Sequence, residues 1–293
     1  MRTGICTTDF ERPGVPALPA DALFKKIRKM GFEVIQFAFS SVAESRFIPD
    51  GSIELPPEIP DETVDAILAA SEKYDLPIPA INGTFNMAHP DRAVREEGLL
   101  RFDRFLEASA ALGAEYISLC SGTRARTGLW DFSPLNADEE AYRDSLETIR
   151  RAAAMAEKYG LTLAIESEAS NVVSSPEIAR RMLDDVGSPN LKMILDCANL
   201  FKAGHAWPEE VEATIRKAFA CYGRDIVLAH GKDILPGEGI AFTGTGRGIV
   251  DFALTAKLLR EYDFKGDMFL HGIESEEDMP RAKEYWETKA SEE

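Results

Sequence analysis

The chain has 293 residues, 45% of them hydrophobic, with 50 acidic and 33 basic side chains and a formal net charge of −17. A field of that sign repels nucleic acid and anionic membranes, so we expect neither as a partner. No stretch approaches the roughly 20 apolar residues that cross a bilayer, and the N-terminal segment does not resemble a signal peptide. The four cysteines form no CxxC pair, so we expect reduced thiols and a cytoplasmic setting.

Apolar, β-branched runs alternate with helical patterns along the chain, and continuous apolar runs are typical of strands buried on both faces. The predicted strands are Thr3–Thr7, Glu33–Phe39, Ile78–Gly83, Tyr116–Ser121, Leu161–Glu166, Lys192–Asp196, Ile226–His230 and Met268–Ile273. The predicted helices are Ala20–Met30, Asp61–Tyr74, Asp91–Leu112, Ala137–Tyr159, Ser175–Val186, Pro208–Tyr222, Asp251–Tyr262 and Ser275–Lys289. This alternation predicts one α/β domain over residues 1–293, a (β/α)₈ TIM barrel, with an open doubly wound sheet as the alternative.

Four of the predicted strands end at or beside a side chain that can bind a metal ion. Asp196 lies 30 residues after Glu166, His230 lies 34 after Asp196, and Glu274 lies 44 after His230. One strand, one helix and two loops take about 30 residues in such a barrel. The four side chains are therefore expected at one barrel mouth, where they suit a single Mn²⁺, Mg²⁺, Co²⁺ or Zn²⁺ ion.

Each of these residues also has a purely structural interpretation. Glu166 would form an ion pair with an arginine of a neighbouring loop, Asp196 would cap a helix, and His230 would be a hydrogen-bonded core residue. Glu274 competes with Glu276, which stands close to it at the start of the last predicted helix. The common spacing of the four residues favours the metal site.

The motifs at the strand ends resemble those of the xylose isomerase-like TIM-barrel superfamily, in its sugar phosphate isomerase/epimerase branch. The segments that carry the resemblance are GTFNMAHPD, AIESE, LDCANL, AHGKD and GTGRGIVDF followed by GDMFLHGIE. In similar enzymes a Glu–Asp–His–Glu set binds one divalent ion, and the two glutamates act as acid and base. The resemblance thus assigns metal binding to Glu166, Asp196, His230 and Glu274, and proton transfer to Glu166 and Glu274.

That chemistry agrees with the residue types. Moving a proton next to a carbonyl group needs a base, an acid and a Lewis acid that holds the enediolate. The sequence departs from the epimerase pattern at Asn199, where those enzymes carry a histidine three residues after the aspartate. Asn199 can still bind a hydroxyl group, but it cannot act as an acid.

Three more residues are substrate-binding candidates with Asn199. His89 is expected near the mouth, or else at the start of the next helix. Lys232 would hold an anionic group, or else pair with Asp233. Arg247, in a glycine-rich segment that lacks the GK[ST] ending of a phosphate-binding loop, would contact substrate from a flexible loop.

The predicted function is a metal-dependent isomerase or epimerase of a small keto-sugar, sugar acid or polyol derivative, with manganese among the candidate ions. A dehydratase acting on a related sugar or inosose uses the same groups and is the alternative. A non-catalytic sugar-binding barrel is a third hypothesis. An endonuclease IV-like hydrolase with three zinc ions is disfavoured, because the chain has only four histidines. From the resemblance we also expect a homo-oligomer, a dimer or a tetramer.

Overall fold

The computed structural model describes residues 1–49 and 51–292, and these form nine β-strands and eight α-helices. The strands are β1 (Thr3–Cys6), β2 (Val34–Phe37), β3 (Ala80–Asn82), β4 (Tyr116–Leu119), β5 (Thr162–Glu166), β6 (Leu191–Asp196), β7 (Ile226–Ile234), β8 (Phe242–Gly244) and β9 (Met268–Leu270). The helices are α1 (Ala20–Lys29), α2 (Asp61–Tyr74), α3 (Arg92–Ala111), α4 (Glu139–Lys158), α5 (Pro176–Val186), α6 (Pro208–Tyr222), α7 (Phe252–Glu261) and α8 (Met279–Ser291).

All the strands except β8 form one closed parallel barrel. Consecutive strands pair from β1 to β7, β7 pairs in parallel with β9, and β9 returns to β1 through Thr3 opposite Met268. The pairing of β6 with β7, which sets Asp196 opposite His230, leaves no open edge between them. The prediction of a (β/α)₈ barrel is confirmed, and the open doubly wound sheet is excluded.

Local signals in the sequence explain where several helices begin and end. Proline occupies the first position of α5 and of α6, where its fixed φ and missing N–H are tolerated. The Ser175 side chain accepts a hydrogen bond from the Ile178 N–H and so caps α5. Gly113 and Gly160 follow helices with φ of 78° and 69°, the left-handed conformation that glycine adopts without strain.

The hydrophobic core has two layers. The larger layer lies between the outer faces of the strands and the surrounding helices, with Phe24, Phe102, Phe219 and Trp286 among its fully buried side chains. The smaller layer fills the barrel interior and consists of Cys6, Val34, Ala80, Ala164, Ile194, Leu228 and Phe269. These apolar side chains fill the lower part of the barrel interior. The polar side chains that can bind a ligand therefore lie at the carboxyl ends of the strands.

The structure corrects the predicted course of the chain near the last two barrel strands. The strand predicted to end at His230 continues to Ile234 and pairs with the antiparallel strand β8, in a stretch for which no strand was predicted. The strand predicted to reach Ile273 ends at Leu270. There the Asp9 carboxylate accepts hydrogen bonds from the N–H groups of Gly272 and Ile273, which removes both groups from the sheet.

No helix among the described residues is long and apolar enough to cross a membrane.

Candidate active site

A cavity of about 660 Å³ opens at the carboxyl ends of the barrel strands. Glu166 is the last residue of β5, Asp196 the last of β6, His230 lies in β7, and His271 follows β9 directly. Glu166, His230 and His271 line the cavity, and the side chain of Asp196 lies behind them. The polar residues that complete the wall are Thr8, Gln36, Glu54, Asn82, Thr84, Ser118, Glu168, Ser170, Asn199 and Lys232.

A chain of hydrogen bonds below the cavity fixes the orientation of the His230 ring. The Gln36 side-chain amide donates to Asn82 Oδ1 over 2.7 Å, which turns Gln36 Oε1 towards the histidine. The Nε2–H of His230 donates to that oxygen over 2.9 Å. The proton of the neutral ring therefore lies on Nε2, and Nδ1 presents a lone pair.

The Nδ1 atom of His230 faces two carboxylates and has no hydrogen-bond partner among the described residues. It lies 3.3 Å from Glu166 Oε2 and 3.9 Å from Asp196 Oδ2. A buried lone pair beside carboxylate oxygens is unfavourable unless a cation lies between them. Two ligands that are each about 2.1 Å from an ion lie roughly 3.0–3.5 Å apart, so this arrangement fits a divalent cation.

Asp196 is surrounded by cationic or imidazole groups. Its Oδ2 atom is 3.0 Å from His271 Nε2 and 3.3 Å from Lys232 Nζ, while its Oδ1 atom accepts the backbone N–H of Ala198. Complete burial opposes ionisation, but Lys232, His271 and His230 outweigh it and lower the pKa of Asp196 below its ordinary value. Asp196 is thus an anion at neutral pH, as a metal ligand must be.

The side-chain amide of Asn199 links Glu166 to Lys232. Its Nδ2 atom donates to Glu166 Oε1, and its Oδ1 atom accepts from Lys232 Nζ over 2.5 Å. The ammonium group also lies over the Phe242 ring, 4.1 Å from the centroid. Burial disfavours the charged lysine, but Asp196, Glu166 and Glu168 outweigh this effect and raise the pKa of Lys232.

Glu168 supplies a further carboxyl group to the cavity wall. Burial, and then the charge of Glu166, raise the pKa of Glu168 to about 7. Its Oε1 atom accepts a hydrogen bond from the Ser170 hydroxyl over 2.5 Å. A carboxyl group whose pKa is raised towards neutrality can donate or accept a hydrogen bond.

The donor set suits a divalent ion. Asp196, His230 and His271 each offer one ligand atom, these atoms lie within 4.8 Å of one another, and Glu166 Oε2 adjoins the group. Two carboxylates and two imidazoles are ligands that Zn²⁺, Co²⁺ and Mn²⁺ accept in proteins. The hydrogen bond from His230 to Gln36 is the outer contact that metal-binding histidines ordinarily make.

Three residues predicted from the sequence do not reach the cavity. Glu274 is exposed and lies beyond the turn at Gly272, and His271 occupies the strand end in its place. His89 accepts the Asp91 N–H at the start of α3, which holds its ring away from the mouth.

The third of these residues is Arg247, which pairs with Asp278 over 2.6 Å and lines a separate small pocket. Asn199 and Lys232, by contrast, do line the cavity.

Three residues of the cavity wall were not among the site candidates predicted from the sequence. His271 directly follows the apolar run MFL, at the same kind of strand end as Glu166 and Asp196. Gln36 is the polar residue in the buried strand VIQF, a signal that was present in the sequence. Glu168 follows Glu166 by two residues and lies on the same wall of the cavity.

The family model described as "Xylose isomerase-like TIM barrel" matches residues 24–290. A probable L-ribulose-5-phosphate 3-epimerase of Mycoplasma pneumoniae is 21% identical over 204 residues, which is 69% of this chain and 64% of that protein. The chain therefore aligns with slightly less than two thirds of the length of this relative.

Solved structures with the same fold cover nearly all of the chain. The 3-keto-D-glucoside 4-epimerase of E. coli superimposes with a TM-score of 0.70 and 15% identity, over 98% of this chain and 99% of that one. A xylose isomerase-like TIM-barrel protein of Mycobacterium smegmatis, in complex with magnesium, gives a TM-score of 0.73 and 16% identity, over 99% and 96%. These likenesses establish the barrel as the shared architecture.

Proposed function

This chain belongs to the xylose isomerase-like TIM-barrel family, and we propose that it is a divalent-metal-dependent isomerase or epimerase of a small keto-sugar, sugar acid or polyol derivative. The observation that carries the proposal is the unpaired Nδ1 atom of His230, which faces Glu166 and Asp196 at the cavity. The names of the relatives, a probable ribulose-phosphate epimerase and a keto-glucoside epimerase, support the class of reaction.

The ligands in this proposal are Glu166, Asp196, His230 and His271, with His271 in the role that the sequence suggested for Glu274. Three of these side chains line the cavity, and Asp196 contacts two of them. When bound, the ion polarises the substrate carbonyl and stabilises the negative charge that develops on its oxygen.

Proton transfer falls to Glu166 and His271 in the same proposal. They extend from β5 and from the end of β9, with β6 and β7 between them in the barrel order, so they would reach a bound substrate from two different parts of the cavity wall. Epimerisation needs such a pair, because one group removes the proton from one face of the carbon and the other returns a proton to the opposite face. Asn199 holds the Glu166 carboxylate in place through its amide.

Lys232 and Glu168 then bind the substrate oxygens. The Lys232 ammonium lies at the cavity wall and balances the charge of Asp196, and it can donate to a carbonyl or hydroxyl oxygen. Glu168 offers a carboxyl group that either donates to or accepts from a sugar hydroxyl. The expectations of a cytoplasmic setting and of a dimer or tetramer stay predictions.

Hydrogen exchange with solvent tests this function directly. The protein, loaded with Mn²⁺ or Zn²⁺, would be incubated in D₂O with D-fructose, D-tagatose or D-psicose, and the carbon-bound protons followed by NMR. We expect enzyme-dependent deuterium uptake next to the carbonyl of at least one keto-sugar. Glu166→Gln would slow it by a factor of about 10² or more, the usual contribution of a positioned acid or base.

The other outcomes separate the alternatives. Exchange accompanied by loss of water from the sugar would establish the dehydratase. Sugar binding without exchange, in protein that holds its metal ion, would contradict the proposal and favour a non-catalytic barrel.

A further inference from the structure

The active-site cavity does not end at the metal-binding residues. A second, outer cavity of about 550 Å³ adjoins it, and both cavities are lined by Phe132, Ala169, Ser170, Phe201 and Ile240. We propose that the substrate is an unphosphorylated glycoside, in which the reacting keto-sugar is joined to a second, uncharged ring that occupies the outer cavity. This inference rests on the proposed function and names its substrate class.

The combined space is too large for a single sugar ring. Pockets of about 300–1,000 Å³ ordinarily hold ligands the size of a drug molecule. The inner cavity, at about 660 Å³, already lies within that range. A five- or six-carbon sugar at the metal-binding residues would leave the outer cavity filled only with water.

Large apolar side chains lie at the rim of the inner cavity, and two of them, Phe132 and Ile240, also line the outer cavity. Trp130 is 52% exposed, Phe132 67%, Ile240 40% and Phe242 42%, although all four are large hydrophobic residues. The indole N–H of Trp130 donates to Glu54 Oε1 over 2.8 Å, which fixes its ring at the rim. A cluster of exposed apolar residues around a polar cavity is typical of a binding surface, and aromatic faces accept the flat apolar face of a sugar or aryl ring.

The charges around the two cavities disfavour a phosphate group. Among the described residues, one lysine or arginine side chain lines the inner cavity, that of Lys232. Its ammonium group already contacts Asp196 and Asn199. Glu54 and Glu166 add negative charge to the same wall. Phosphate recognition usually draws on several cationic or N–H donors that converge on one point.

The outer cavity is no better suited to an anion. Within the part of the chain that the structure describes, one basic side chain lines this cavity, that of Lys202, and it is exposed. Its other polar residues are neutral hydroxyl and amide side chains, which suit the hydroxyl groups of an uncharged ring.

Binding of non-reacting probes tests the inference separately from catalysis. The affinities of phenyl β-D-glucoside and methyl β-D-glucoside for the metal-loaded protein would be compared by calorimetry. Burial of a phenyl ring predicts roughly tenfold or more tighter binding of the phenyl glucoside. Ala203→Trp, which fills the outer cavity from an exposed position outside the inner one, should abolish this preference and leave the methyl glucoside unaffected. Ala213→Trp, on the exposed face of α6, is the matched control and should retain the preference.

Three results would overturn the inference. The first is equal affinity for the two glucosides, or no binding of the phenyl glucoside. The second is tighter binding of D-glucose 6-phosphate than of D-glucose. The third is a Phe132→Ser variant that dissociates an oligomer in light scattering and keeps the phenyl preference, because the rim would then be a subunit interface. Deuterium exchange into keto-sugars without a phenyl preference would refute this inference alone, whereas a phenyl preference without exchange would refute only the proposed function.

Discussion

His271 Nε2 lies 3.0 Å from Asp196 Oδ2, and the His271 ring meets the His230 ring edge to face with centroids 4.7 Å apart. A second imidazole therefore adjoins the candidate metal ligands. Imidazole nitrogen favours Zn²⁺ and Co²⁺ over Mg²⁺, whereas carboxylate oxygen favours Mg²⁺ and Mn²⁺. The identity of this one side chain should influence which ion the protein retains.

We expect His271→Glu to lower the ratio of Zn²⁺ to Mn²⁺ affinity by at least about tenfold. Competition titrations with a metal-sensitive dye would measure both affinities. Glu274→Gln should leave both unchanged, because Glu274 is exposed and lies outside the cavity. If Glu274→Gln weakens metal binding and His271→Glu does not, the ligand suggested by the sequence is the correct one.

Gln36 should control metal affinity without touching the ion. Its Oε1 atom accepts the Nε2–H of His230 and keeps the Nδ1 lone pair directed at Glu166 and Asp196. Loss of such an outer contact typically costs 10–100-fold in metal affinity, and we expect Gln36→Leu to fall in that range. Gln36→Glu keeps an acceptor oxygen at the same position and should bind metal nearly as well as wild type. Equal affinities in the two variants would contradict this role.

Asp233 should stabilise the loop between β8 and α7. Its buried carboxylate accepts the backbone N–H groups of Ile234, Gly246, Gly248 and Val250. Asp233→Asn replaces one acceptor oxygen with a donor that faces N–H groups, so we expect the free energy of unfolding to fall by about 2–4 kcal/mol. Urea denaturation would measure the loss.

The matched control for that variant is Asp278→Asn, which breaks only the surface pair with Arg247. Such pairs contribute about 0–1 kcal/mol. If both variants lose the same stability, Asp233 does not organise this loop.

Glu168 should make the stability of the metal-free protein depend on pH. Its pKa is raised to about 7 in the folded protein, from an ordinary 4.5. Between these values the folded state retains a proton that the unfolded state has lost, so stability decreases as pH rises through this window, by about 3 kcal/mol in all. Glu168→Gln removes this component, and thermal unfolding at pH 5 and pH 8 in the presence of a chelator would measure it. A wild-type protein whose stability changes no more than that of Glu168→Gln would contradict the assignment.

The strand order could be predicted, and so could the convergence of Glu166, Asp196 and His230, because both depend on local pattern. Glu166, Asp196 and His230 each end an apolar run, and the parallel barrel brings such ends together. The place of His271 beside them could not be predicted, because the run MFLHGI does not reveal where the strand stops. That point is set by the distant Asp9, which binds the N–H groups of Gly272 and Ile273.

The β7–β8 hairpin escaped prediction for a similar reason. Its second strand is three residues long, in a glycine-rich segment that suggests a flexible loop. The Asp233 carboxylate holds this segment in place by accepting hydrogen bonds from its backbone N–H groups. Such contacts produce no periodic pattern in the sequence. Arg247 was consequently expected at the substrate, whereas the folded loop directs it to Asp278.

The metal content of the purified protein tests the central claim most directly. Elemental analysis after incubation with Mn²⁺ or Zn²⁺ and removal of free ion should give about one divalent ion per chain, held by the donor set around His230 Nδ1. His230→Ala and Asp196→Asn should lose most of it while keeping the far-ultraviolet circular dichroism of the folded barrel. An unmodified protein that retains no ion, or folded variants that retain as much as wild type, would contradict the metal site and the mechanism built on it.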